Sequence, residues 1–207
     1  MSSLEEIRHS LAHLLAAAVL KKYPDTKLGI GPVIENGFYY DFLFSADFAD
    51  QSGLRGIKET DLPALEAMMR QLIKDELDFW GEKVTPIKAK KTFHSQPFKL
   101  ELIKEFSKDK QPLTIYYTGK KSPRGPQKSV ESAFMDLCRG GHVKNTGEIN
   151  PDAFKLSHLA GAYWRGSEKN PMLTRIYGLA FNSKKELDEY LVMMEEAKKR
   201  DHRKLGK

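Results

Sequence analysis

The sequence predicts an α+β fold, a largely antiparallel sheet packed by helices. Three observations lead there. Helix-type and strand-type patterns occur together but without the regular strand–helix–strand alternation of a parallel sheet. Asn36-Gly37 sits between two β-rich runs, a strong hairpin signal. Both the first and the last helical patterns open on a capping box, in which a serine and a glutamate three residues on satisfy each other's backbone donors.

The elements follow in order. Ser3-Leu4-Glu5-Glu6 opens the first helix, which should run to Lys22 and stop at Tyr23-Pro24. Leu4, Ile7, Leu11, Leu14, Leu15 and Ala18 form its expected core stripe. Residues 28–34 and 37–42 read as two strands, with Phe38, Tyr40 and Phe42 on one face and Tyr39 and Asp41 on the other. Thr60-Asp61-Leu62-Pro63 starts a second helix, continued by Leu65, Met68, Met69, Leu72 and Ile73. Residues 79–84 read as a short strand, 85–93 and 98–106 as short helices, and 113–117 as a strand. The Gly-, Pro-, Ser- and Lys-rich stretch 118–132 reads as an exposed loop. Residues 133–138, 153–164 and 173–181 read as strands. The last helix begins at Asn182-Ser183-Lys184-Lys185-Glu186.

The chain has 207 residues, 40% hydrophobic and 30% charged, enough for one substantial core or one core with a small appendage. No segment is apolar over the length a bilayer requires, so no membrane role is expected. Met1-Ser2-Ser3-Leu4-Glu5-Glu6 lacks the basic-then-apolar pattern of a secretory signal. A single cysteine makes no internal disulfide and fits a reducing, cytoplasmic setting. The net charge of +6 fits a polyanionic partner.

Two distant segments carry related ligand chemistry. His9 and His13 are four residues apart on the first helix, so both project from one face. Cys138, the only cysteine, lies four residues before His142. If the fold joins these segments, three imidazoles and a thiol line one site, able to hold a metal or to run acid–base chemistry at neutral pH. The alternative for His13 is a buried structural histidine in an apolar run. The two histidines point away from the core stripe and are flanked by Ala12, Ala16 and Leu20, which predicts a hollow beside them.

Several long, ordered stretches give the chain a resemblance. They are residues 9–15 (His-Ser-Leu-Ala-His-Leu-Leu), 30–41 (Ile-Gly-Pro-Val-Ile-Glu-Asn-Gly-Phe-Tyr-Tyr-Asp) and 136–140 (Asp-Leu-Cys-Arg-Gly), with Gly161-Ala162-Tyr163-Trp164-Arg165-Gly166 and Arg175-Ile176-Tyr177-Gly178. Together they resemble the second N-terminal, editing domain of bacterial threonyl-tRNA synthetases, which is shared with alanyl-tRNA synthetases and free-standing alanyl-tRNA editing proteins. Arg200-Asp201-His202-Arg203-Lys204-Leu205-Gly206-Lys207 is similar to the end of the helix leading into the synthetase's catalytic domain. The resemblance divides the chain into an editing domain, residues 1–181, and a linker helix, 182–207, leading in the family to a class II catalytic domain. No sequence here resembles that domain's ATP-binding motifs, and the small domain that precedes the editing domain in the family is absent. The family usually carries proline where this chain has Gly141, and the stretch 119–132 is longer than its usual connection.

The resemblance implies hydrolysis of the ester in mischarged seryl-tRNA(Thr), with the serine-bearing tRNA acceptor end as partner. His9, His13, Lys99, Cys138 and His142 would form the catalytic set, Lys99 positioning or deprotonating water. Tyr40 would wall the pocket and Asp136 would meet the substrate ammonium. The threonyl relatives work without metal and the alanyl relatives bind zinc, so the resemblance favours no cofactor. Zinc on His9, His13, Cys138 and His142 is the alternative, and Cys138 as a covalent nucleophile ranks last. Lys120, Lys121, Arg124 and Lys128 in the basic loop read first as a solvated surface; the functional alternative is that they touch phosphates of the tRNA acceptor end. Two other functions stay open: the N-terminal portion of a threonine–tRNA ligase, fused to or associated with its ATP-dependent catalytic domain, and a tRNA-binding module whose hydrolytic site has decayed.

Overall fold

A computed structural model describes residues 2–45, 56–121 and 132–205. Among these residues five α-helices and eight strands form an α+β architecture with two antiparallel sheets. The expectation of a largely antiparallel sheet holds, with the strands divided between these two sheets. Helix α1 (Leu4–Lys22) is opened by the expected capping box: Ser3 Oγ accepts from the Glu6 amide, and Glu6 accepts from the Ser3 amide. The first sheet runs β1 (Lys27–Leu28), β3 (Gly37–Leu43), β8 (Met172–Ala180), β7 (Phe154–Tyr163), with β2 (Val33–Ile34) also paired to β3. The second sheet runs β4 (Asp78–Val84), β5 (Leu113–Gly119), β6 (Ser132–Leu137). Helix α2 (Leu62–Lys74) packs on α1, while α3 (Pro86–Thr92) and α4 (Pro97–Lys108) cover part of the second sheet. Among the described residues no helix is long and apolar enough to cross a membrane.

Phe38, Tyr40 and Phe42 are fully buried on one face of β3, as alternation requires. They pack with α1 in the main core, which also takes in Leu65, Met69 and Phe154. On the opposite face Asp41 pairs with Arg175, whose guanidinium lies 3.7 Å from the Tyr39 ring centroid.

Three local expectations are corrected. First, residues 28–34 are not one strand. They pair with β3 only as β1 and β2, although Gly29 still donates to Asp41 O and Asp41 donates to Ile30 O. A side chain at Gly31 would sit 2.2 Å from the Tyr40 ring, so the chain passes over that ring on bare backbone. Second, the hairpin turns at Glu35-Asn36, and Gly37 already belongs to β3, paired with Ile34. Glycine is needed at 37 because a Cβ there would lie 1.9 Å from the Gly178 carbonyl of β8. Third, Ala12 and Ala16, expected to border a hollow beside the histidines, are fully buried among the described residues. Every residue from Ser10 to Val19 is buried, because α1 lies between the first sheet, β6 and α2. The small residues Ala12 and Ala16 allow that close approach.

Helix α5 (Lys184–Leu205) begins with Ser183 Oγ accepting from the Glu186 amide. Leu187 is buried and Tyr190 packs on Phe181.

Candidate functional site

Helix α1 and the loop after β6 bring the two sequence motifs together. The helical spacing sets the rings of His9 and His13 5.3 Å apart. Strand β6 ends at Leu137, and Cys138 to His142 follow as a loop. Two consecutive glycines with φ of +101° and +84°, Gly140 and Gly141, turn that loop back toward α1. The His142 ring then lies 4.0 Å from His9 and 4.2 Å from His13. One potential ligand atom from each of His9, His13, Cys138 and His142 falls within 4.8 Å of all the others. Proline, with φ held near −65°, cannot adopt the backbone found at Gly141. The loop is therefore shaped differently from one carrying proline there.

The hydrogen bonds define the ring tautomers. His9 Nδ1 is 3.2 Å from the Gly141 carbonyl, so this nitrogen carries the proton and Nε2 presents a lone pair. Cys138 Sγ lies 3.3 Å from His9 Nε2 and 3.3 Å from His142 Nε2. Burial pushes the thiol up to about 11, so it is protonated near neutral pH. With one proton to give, Cys138 donates to His9, and His142 donates through Nε2 to the sulfur. His142 Nδ1 is then a bare, buried lone pair, and it has no hydrogen-bond partner among the described residues. Burial lowers all three imidazoles below the usual histidine range, His13 strongly, and their mutual repulsion when charged adds to the effect for His13 and His142.

Behind this cluster sits a buried polar group. Lys99, on α4, places its ammonium 2.5 Å from Asp136 Oδ1. Tyr40 donates to Asp136 Oδ2 at 2.6 Å, and Lys99 donates to the Tyr40 hydroxyl at 3.1 Å. The Leu137 amide also donates to Oδ1 at 2.7 Å. Exposure is 0% for Tyr40, 1% for Lys99 and 3% for Asp136. Burial next to the Asp136 carboxylate raises the Tyr40 phenol well above its ordinary range and keeps it a donor. His13 Nε2 lies 3.9 Å from Asp136 Oδ2 and links the two groups. A buried ion pair gains little net stability, because desolvation offsets the attraction. Three charged or polar side chains at this depth therefore point to a positioning role more than to structural glue.

All seven core site residues anticipated from the sequence thus converge: His9, His13, Tyr40, Lys99, Asp136, Cys138 and His142. Lys120 and Lys121 are exposed just beyond β5, with Lys121 Nζ 5.8 Å from the Trp80 ring centroid. Arg124 and Lys128 lie outside the described residues. Sequence reading missed the aromatic walls. Phe79 stacks on His142 at 5.0 Å, Tyr116 lies 4.8 Å from the same ring, and Phe134 meets His13 edge-on at 5.3 Å. Strand alternation alone put Tyr116 on a face; its pairing opposite Asp136 across β5 and β6 needed the register. A cavity of about 140 Å³, lined by Ile30, Thr114, Leu137, Cys138 and Arg139 among others, opens beside the thiol. A larger cleft of about 610 Å³ lies against α5 and shares none of the seven core site residues.

The donor set fits a small cation. Three imidazoles and one thiol converge, His9 already turns its second nitrogen to a backbone carbonyl as metal-bound histidines do, and both His13 Nδ1 and His142 Nδ1 are buried with no hydrogen-bond partner among the described residues.

Residues 113–177 match the model of the threonyl and alanyl tRNA synthetase second additional domain. Similar proteins include a threonine–tRNA ligase of Dehalococcoides mccartyi, 48% identical over 207 residues, which is all of this chain and 31% of the relative. The corresponding enzyme of Thermotoga petrophila is 48% identical over 98% of this chain and 28% of its own length, and that of Borreliella burgdorferi is 47% identical over 97% and 30%. The chain therefore spans about a third of the length of these relatives. The matched segment holds Asp136, Cys138 and His142, and the similarity to threonine–tRNA ligases extends over the first helix and α4 as well, so the chain is similar along its length to a part of those ligases that includes the second additional domain.

Proposed function

We propose that this chain edits tRNA by hydrolysing the ester between serine and the terminal ribose of tRNA(Thr). The observation that carries the reading is the junction of the neutral His9, His13 and His142 imidazoles with the buried Lys99–Asp136–Tyr40 group. The need for such an activity is physical. Serine and threonine differ by one methylene-sized group, and a single apolar pocket separates such a pair by only about 1–3 kcal/mol, roughly 10–200-fold. A ligase of the kind this chain resembles gains fidelity from a second, hydrolytic site. Residues 1–181 are the editing unit in this reading, and residues 182–207 connect it to the remainder of a threonine–tRNA ligase in the cytoplasm.

The chemistry asks for a base that is unprotonated at neutral pH, and of the three lowered imidazoles His9, lowered less than His13, stays the better base. The imidazole takes a proton from the attacking water as its oxygen bonds to the ester carbonyl carbon, the ester C–O bond breaks, and the imidazolium returns the proton to the leaving ribose oxygen. Lys99 and Tyr40 fix the Asp136 carboxylate, so a substrate ammonium meeting Asp136 shares it with Lys99. The protonated Cys138 thiol acts as a hydrogen-bond donor to His9 and not as the attacking nucleophile. Zinc held by His9, His13, Cys138 and His142 would supply an activated water in its place. The relatives are threonine–tRNA ligases, and likeness to that branch favours hydrolysis without a metal. Exposed Lys120 and Lys121 stand where tRNA phosphates could be met, and we extend that role to Arg124 and Lys128.

The test is a deacylation assay with seryl-tRNA(Thr) and threonyl-tRNA(Thr) on the purified chain. Release of serine with threonine spared is expected. Equal rates on both, or no release from either, would overturn the proposal.

A further inference from the structure

The geometry points to Ser10 as a positioning residue that holds His142 in register with His9 and His13, an inference resting on the editing reading above. Ser10 is completely buried on α1, directly after His9. Its hydroxyl donates to the Glu6 carbonyl at 2.8 Å and accepts from the Val143 amide at 3.0 Å. Val143 directly follows His142, so one side chain ties the His9-His13 helix to the His142 loop.

The loop's other ties are the Cys138 amide to Thr114 O, the Gly140 amide to Cys138 Sγ, and the packing of the His142 ring on Phe79 and Tyr116. Its turn is made by Gly140 and Gly141, both at positive φ, and glycine is the residue least able to hold a backbone in one place. Space is open beside Gly141, where an added Cβ would meet only His9 Nδ1, at 3.8 Å. No hydrogen bond holds His142 Nδ1 among the described residues. Among the described residues three hydrogen bonds tie α1 to this loop and the residue after it. Two, His9 Nδ1 to Gly141 and Cys138 to His9 Nε2, use a ring that the reaction also uses. The third is the Ser10–Val143 bond, away from the reacting atoms and out of solvent. Ser10 supplies a fixed tie between α1 and this glycine turn.

The experiment compares Ser10→Ala and Ser10→Thr with the wild-type chain. Two readouts are taken: steady-state deacylation of seryl-tRNA(Thr), and the alkylation rate of Cys138 by iodoacetamide after dialysis against chelator. Cys138 is the only thiol, so its alkylation reports on this loop alone. Ser10→Ala should lower kcat by tens-fold with KM within threefold, and should speed alkylation several-fold below the melting transition. Ser10→Thr keeps the hydroxyl and should restore both values to within threefold of wild type. Unchanged kcat and alkylation in Ser10→Ala would overturn the inference. So would a Ser10→Thr variant that is folded yet behaves like Ser10→Ala, and this arm decides the matter if the alanine variant melts too low to assay. A wild-type chain without deacylation would sink the editing reading, while the alkylation comparison would still decide the role of Ser10.

Discussion

Replacing Asp136 with Asn isolates the buried charge at the centre of the site. The substitution keeps the shape and one acceptor oxygen but removes the partner of the Lys99 ammonium, 2.5 Å away. Both side chains are almost fully shielded, at 1% and 3% exposure, so water cannot replace the lost charge. Breaking a buried pair from one side costs about 3–5 kcal/mol. For a chain of this size that corresponds to a fall in Tm of about 6–20 °C. The companion variant, Asp136→Asn with Lys99→Met, leaves no charge behind and should recover at least half of the loss, since an apolar replacement of a whole buried pair is often near neutral. Circular dichroism melts of wild type, both single variants and the double variant form a thermodynamic cycle that gives the coupling directly. The double variant should be folded and inactive, separating stability from chemistry. A single-variant loss under about 1 kcal/mol, or a double variant no better than the sum of the singles, would show that the pair is neither buried nor coupled as described.

Four further outcomes are expected. His9→Ala or His13→Ala should cut deacylation by ~10²–10⁴-fold while the melt stays cooperative; a loss below tenfold would count against a catalytic role, and loss of the cooperative melt in His13→Ala would favour a structural one. Protein purified without chelator should hold less than one zinc per chain and keep its activity after chelator treatment; stoichiometric zinc lost together with activity would place the metal in the mechanism. The imidazoles of buried His13 and half-buried His9 and His142 have folded pKa values below that of the unfolded chain, so the unfolded state takes up protons first as pH falls. Their contribution to stability is complete above about pH 6.5 and is lost below it, by up to about 1.4 kcal/mol per pH unit per histidine; urea unfolding should show this slope, reduced in His13→Gln, and a flat profile would contradict the burial. Finally, neutralising Lys120, Lys121, Arg124 and Lys128 together should weaken tRNA binding and reduce the log–log salt slope by about one unit per lost phosphate contact; an unchanged slope would return the loop to plain solvated surface.

Local rules were enough for most elements. The Ser3–Glu6 capping box, the alternation of Phe38, Tyr40 and Phe42, and the proline-opened helices were legible because each depends on neighbours a few residues away. The spacing of His9 and His13 was legible for the same reason. Resemblance added Tyr40, Lys99 and Asp136, whose residue types alone read as core aromatic and surface charge. Tertiary structure decided the rest, because it turns on contacts between segments far apart in sequence. Ala12 and Ala16 suggested a hollow, yet packing against two sheets and α2 buries both. Gly37 signalled a turn, but the nearby Gly178 carbonyl is what excludes a side chain there. The protonation of the site also belongs to this level. The sequence supplies His9, His13, His142, Cys138, Lys99 and Asp136; burial and the distances among them make the imidazoles neutral, the thiol protonated, and Lys99 and Asp136 each other's partners.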